Sequence, residues 1–155
     1  MDFRIRGLDP APFRHLWGLP AAALAAAGAE RHVADCRPGF PDRVALVDAA
    51  PGETLLLLNF VHQPAANPYR ASHAIYLREG AERAFDAVGV IPPALAIRPL
   101  SLRAFDAGDR LVGAELAEGA AQAGAIRALL ADPRVRYLQA HCARPGCYAA
   151  RIERA

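Results

Sequence analysis

Residues 55–79 read LLLLNFVHQPAANPYRASHAIYLRE, and the fold follows from how this stretch divides. From Thr54 to His62 both alternating faces are largely apolar: Leu56, Leu58 and Phe60 share one, Leu55, Leu57 and Val61 the other. A strand apolar on both faces belongs in the interior of a sheet, covered above and below. A polar loop with Pro and Asn follows. The chain then returns in a second alternating run, with His73, Ile75 and Leu77 on one face and Ala74, Tyr76 and Arg78 on the other. The expectation is a pair of neighbouring strands whose connection, residues 63–72, is long for a hairpin, and long loops in small domains often carry function. His62 closes the first strand, His73 opens the second, and Tyr69, Arg70 and Ser72 lie between them.

Toward the N-terminus, Phe3–Arg6 alternates as a short strand. Asp9-Pro10 supplies an N-cap and a first-turn proline for a short helix stopped by Gly18, and a second helix over Pro20–Ala27 ends at Gly28. Glu30–Cys36 reads as a strand broken by Arg37-Pro38-Gly39, and Arg43–Val47 as another before the turn Asp48–Gly52. Toward the C-terminus, residues 82–90 carry no decisive pattern, and Pro92-Pro93 opens a helical turn that Pro99 ends. Leu100–Phe105 and Leu111–Leu116 make a hairpin about Asp106–Asp109. Gly119–Ala131 is the longest helix, with Ile126, Leu129 and Leu130 on one stripe and Asp132-Pro133 closing it. Val135–His141, a turn at Ala143–Gly146 and Cys147–Glu153 complete the chain. With no internal repeat, low-complexity tract or linker, the expected architecture is α+β. It is a single domain over residues 1–155, with a largely antiparallel sheet, short N-terminal helices and one longer helix near the C-terminus.

A chain of 155 residues buries about 70% of its unfolded surface as one domain, so its core needs no covalent staples. All 18 basic residues are Arg and Lys is absent, which with the abundant Ala reads as the composition of a GC-rich bacterial genome. A net charge of +2, with arginines scattered rather than banded, gives no case for nucleic acid and points to solvated surface cations. Leu19–Ala29 looks superficially like the apolar part of a signal peptide. Asp2 and Asp9 precede it, however, and Pro20 and Gly28 punctuate it as a helix. No run approaches the roughly 20 apolar residues of a membrane span. Cys36, Cys142 and Cys147 lack the spacing of a disulfide framework, so all three are expected free in a reducing cytoplasm. Cys142 and Cys147 are the pair that a tight turn would bring together.

Residues 55–79, LSLRAFDA at Leu100–Ala107 and ARPGCYAARIERA at Ala143–Ala155, with FRIRGLDPAPF at Phe3–Phe13 in agreement, resemble a bacterial family, the domain of unknown function DUF1203. The resemblance spans essentially the whole chain and implies a small single-domain bacterial protein. It supplies no activity, cofactor or catalytic residue. Cys142 stands where the resemblance leads one to expect Asn, which argues against that thiol as an essential group.

Candidate chemistry therefore comes from the residues themselves. His62 ends one strand and His73 begins its partner; His141 ends another, and Cys147-Tyr148 begin the next. If both hairpins lie in one sheet and point the same way, His62, His73 and His141 converge with Arg70 and Arg144 on one rim. There the histidines are candidate catalytic groups that handle protons. Tyr69, Arg70, Ser72, Arg144, Cys147 and Tyr148 are candidate ligand contacts, the arginines suiting a carboxylate or phosphate. The competing reading is that these are turn residues satisfying loop backbone. Three histidines could form an open zinc site, but no HExxH, His-x-His or paired CxxC is present, so no metal or cofactor is assigned. Cys147 could act as a nucleophile with a histidine base. A phosphatase-like loop would need Arg six positions after the Cys, where Tyr148 follows Cys142 and Glu153 follows Cys147. Two classes of function stand: a small-molecule enzyme or binding protein for an anionic metabolite, and a non-catalytic interaction module or homodimer. Neither involves nucleic acid or membrane.

Overall fold

In the computed structural model, which describes residues 2–155, the chain forms β1 (Phe3–Arg6), a 3₁₀ turn (Ala11–Leu16), α1 (Ala21–Ala26), β2 (Ala29–Val33), β3 (Thr54–Gln63) and β4 (Ala71–Arg78). It continues through β5 (Asp86–Val88), α2 (Pro93–Ala96), β6 (Leu100–Phe105), β7 (Leu111–Ala117), α3 (Ala121–Ala131), β8 (Tyr137–Cys142) and β9 (Tyr148–Arg154). The leucine run takes the place its pattern demands: β3 is the middle strand of an antiparallel sheet ordered β2-β3-β4. Leu58 pairs with Ile75 and Leu56 with Leu77, so the apolar faces of the two runs coincide. All four are buried, while Leu55 on the opposite face is covered by Ala34 and Ala49 with Phe40 and Tyr76 alongside. Phe60 is half-buried, wedged between Phe13 and Tyr148.

The remaining strands form a six-stranded antiparallel sheet ordered β5-β1-β9-β8-β6-β7. The architecture is thus α+β with largely antiparallel sheets. One face of the large sheet carries Ile5, Leu100, Leu102, Leu138, Ala140 and Ile152, and packs on Ile126 and Leu130 of α3. Period-two alternation puts Tyr137, Gln139 and His141 of β8 on the other face. There the small sheet lies against the large one through Phe60 and Tyr148, whose ring centres are 5.6 Å apart. The two hairpins expected to share a sheet therefore belong to different sheets, brought together by packing.

Arg43–Val47 is a tight buried loop rather than a strand. The Asp42 carboxylate accepts hydrogen bonds from the backbone of Val44, Ala45 and Arg78, and Asp42 N donates to Val47 O at 2.9 Å. An Asx-type turn thus claims the amides that a ladder would have used. Residues 82–90, without a decisive pattern, contain β5, which pairs with β1. Among the described residues no helix is long and apolar enough to cross a membrane.

Candidate functional site

Where β3 crosses β8, a bulge sets the chemistry. Phe60 pairs with His73 but Gln63 pairs with Ala71, so β3 carries one extra residue between them. Such an insertion re-aims side chains, and here both His62 and Gln63 reach the large sheet. The His62 ring stacks on Tyr148 at 5.5 Å and meets His141 edge-on at 4.8 Å. Gln139 joins them: its Oε1 lies 2.8 Å from His62 Nδ1 and 3.2 Å from His141 Nε2, while its Nε2 donates to His62 O and Gln63 Oε1. Gln63 in turn donates to the Tyr137 hydroxyl, which donates to Asp109 Oδ1 at 2.7 Å. The result is a buried polar seam between the sheets. His141, fully buried, also has Nδ1 facing Gly146 O, so protonation would satisfy two acceptors at once. Burial and then the Arg103 charge outweigh that gain and push its pKa down to about 3; burial lowers His62 as well. Both rings are neutral wedges at physiological pH.

Beside the seam, the β4 edge of the small sheet stands off the β8–β9 turn and leaves a cleft of about 500 Å³. Arg43, His73, Arg98, Cys142, Arg144 and Cys147 supply its polar lining, and Leu57, Tyr76, Ile97 and Pro99 its apolar wall. Cys142 and Cys147 face each other across the turn: Cys142 N donates to Cys147 O at 2.9 Å and Gly146 N to Cys142 O at 2.8 Å. The turn closes through Gly146 at φ 80°, a conformation that glycine adopts without cost.

Arg43 is 3% exposed, and its guanidinium donates to Tyr148 O, Pro41 O and Cys147 Sγ, the last at 2.9 Å. Among the described residues no carboxylate lies within ion-pairing distance of it. A buried guanidinium without a counter-charge is costly, and the Cys147 thiolate is the group placed to supply one. The Cys142 thiol, donating a hydrogen bond, pulls the Cys147 pKa below its ordinary value; the charges of Arg43 and His73 act in the same direction against burial. As the donor of that bond, and buried, Cys142 is pushed up. Arg98, by contrast, is neutralised by a bidentate pair with Asp48, both contacts 2.6 Å. Burial works to raise the Asp48 carboxyl, yet these bonds hold it below its ordinary range.

The structure divides the residues expected at one rim. His73, Arg144 and Cys147 line the cleft, whereas His62, His141 and Tyr148 form the seam behind it. Tyr69, Arg70 and Ser72 are exposed. Their loop is tied to the β6–β7 turn by Asn67 Nδ2 donating to Gly108 O at 2.9 Å. Phe105 pairs with Tyr137 and Leu100 with Cys142, so that turn and the Arg144 turn lie at opposite ends of β8, about 17 Å apart at the rise of a strand. Arg70 and Arg144 therefore do not share a depression, because the long loop docks on a different hairpin. Among the described residues no group of three His, Cys, Asp or Glu side chains is spaced to hold a metal ion.

Sequence reasoning missed Arg43, Gln63 and Gln139 and set Cys142 aside. The glutamines carried a signal: Gln139 is a polar residue inside a fully buried strand two positions before His141, and Gln63 follows His62 at the end of β3. Arg43 carried none, because its thiol partner lies 104 residues away. A family model described as Protein of unknown function (DUF1203) matches residues 39–154, which contain every residue of the seam and the cleft. No curated protein and no solved structure matches.

Proposed function

We propose, for a chain that belongs to the DUF1203 family and takes no named activity from it, that the Cys147 cleft binds and acts on a small anionic molecule. One observation carries this reading: the cleft joins a buried arginine, whose one side-chain partner is a thiol, to an exposed arginine at the mouth. Arg43 is balanced by Cys147 and Arg98 by Asp48, which leaves the Arg144 guanidinium to meet a carboxylate or phosphate. His73 is the histidine positioned to exchange protons with a bound molecule, since its Nδ1 is engaged by Ala74 O and the ring borders the cleft. His62 and His141 support the wall rather than touch the ligand. Free thiols of this kind suit a reducing bacterial cytoplasm.

Alkylation tests the reading directly. Iodoacetate and iodoacetamide differ chiefly in charge, so an arginine-lined cleft should favour iodoacetate at Cys147 by about threefold more than at exposed Cys36, and inorganic phosphate should slow it. Equal preference at the two thiols, with no effect of phosphate, would overturn the reading.

The alternative, an interaction module or homodimer, has its own observation. β7 is an open edge of the large sheet and exposes Leu116 to 72%, the kind of edge on which a second copy can add strands. Sedimentation at micromolar concentration separates the two, a monomer leaving only the cleft.

A further inference from the structure

The cleft contains two thiols where nucleophilic attack needs one. For acyl or alkyl transfer a second thiol beside the nucleophile has no role. For reduction of a bond that accepts two electrons, it is the second electron donor. We propose that Cys147 and Cys142 are a dithiol pair that reduces a hydroperoxide, Cys147 attacking and Cys142 resolving. The inference rests on the cleft described above, names its substrate class, and assigns the second thiol's role to this chain alone, since the resemblance leads one to expect Asn at Cys142.

Three features place the pair for this chemistry. The two cysteines are cross-strand neighbours, and antiparallel neighbours have Cα atoms about 4.5–5.5 Å apart, within the range a disulfide spans. Both line the cleft, so a small peroxide reaches them without unfolding. Arg43 Nη2, 2.9 Å from Cys147 Sγ, puts a positive charge beside the attacking sulfur, which favours its thiolate form.

The steps balance. The Cys147 thiolate attacks the terminal oxygen of ROOH; an S–O bond forms, the O–O bond breaks, and Cys147 becomes a sulfenic acid as RO⁻ departs and takes a proton from water to give ROH. Cys142 sulfur then attacks the sulfenic sulfur, its thiol proton leaves with the hydroxyl as water, and the Cys142–Cys147 disulfide remains. An external dithiol returns two electrons and two protons and is itself oxidised to a disulfide. Cys36, exposed and remote in sequence, takes no part.

The test uses the full chain, reduced and freed of reductant, with one equivalent of hydrogen peroxide. Free thiols should fall from three to one, with a peptide linking Cys142 to Cys147 and Cys36 left free. Cys147 should be oxidised at least about tenfold faster than Cys36, the advantage of a largely ionised thiol over an ordinary one. C142S should stop at a sulfenic acid that dimedone traps on Cys147, and C147S should give neither product. Oxidation of Cys36 at the same rate as Cys147, or no Cys142–Cys147 link, would overturn the proposal. If the iodoacetate preference survives that result, the anion cleft stands and only the peroxide reading falls.

Discussion

The seam and the cleft are built from neighbouring residues of one strand, His141 and Cys142, yet they treat buried polarity in opposite ways. In the seam, amides and hydroxyls of Gln63, Tyr137 and Gln139 tie the histidines into the protein, and the rings they hold are neutral. In the cleft, a buried guanidinium faces a thiol and an open volume. A polar group partnered by neutral side chains specifies how two sheets dock; a buried cation whose one side-chain partner is a titratable thiol is placed to influence that thiol's chemistry. Two of the three strand-end histidines, His62 and His141, are thus held by partners within the protein, while His73 borders the cleft and Arg43 lies against the Cys147 sulfur.

The largest effect should come from the platform both regions share. Leu58 is buried between the sheets, and Leu58→Ala should cost about 2–5 kcal/mol in chemical denaturation, loosening seam and cleft together. A variant as stable as the parent would mean that β3 does not clamp them.

Acid should next distinguish the two regions. The His141 pKa lies at about 3 in the folded protein against the ordinary 6.5 of histidine, so the folded state binds fewer protons than the unfolded chain between those values. The stability that His141 contributes is present above pH 6.5 and is lost as pH falls toward 3, about 3 kcal/mol of it by pH 4. Denaturant midpoints at pH 7 and pH 4 should converge in His141→Asn relative to the parent, with the rate of Cys147 alkylation at pH 7 changed less than twofold. An unchanged acid loss in the variant would remove His141 from the seam's energetics.

Arg43→Gln probes the cleft alone. Removing the charge beside Cys147 should slow its alkylation at pH 7 by about tenfold, and Arg43→Lys, which keeps the charge, should restore part of it. Arg144→Ala should show the smallest effect: stability within about 0.5 kcal/mol of the parent and only the iodoacetate preference reduced.

Much of this architecture was legible because period-two and period-3.6 patterns are local. The leucines of β3, the returning β4, the β6–β7 and β8–β9 hairpins and α3 all follow from spacing and turn residues. The loop at Asp42–Val47 was misread because Val44, Leu46 and Val47 imitate a strand, while the decisive interaction is one carboxylate capturing three amides. For the site, spacing placed His73, Arg144 and Cys147 at strand ends, and the cleft borders all three. It could not show that the long loop docks on Gly108 and carries Arg70 away, nor that Arg43 meets Cys147. Both are contacts between segments far apart in the chain, which no local pattern records.

The claim that Arg43 and Cys142 hold Cys147 as a thiolate is tested most directly by the pH dependence of iodoacetamide alkylation, followed peptide by peptide. Cys36 serves as the reference inside the same molecule, its own thiol pushed up by a hydrogen bond to Asp35. The expected result is a Cys147 profile that rises at lower pH than that of Cys36 and is already near its plateau at neutral pH. A Cys147 inflection at or above that of Cys36 would contradict the account.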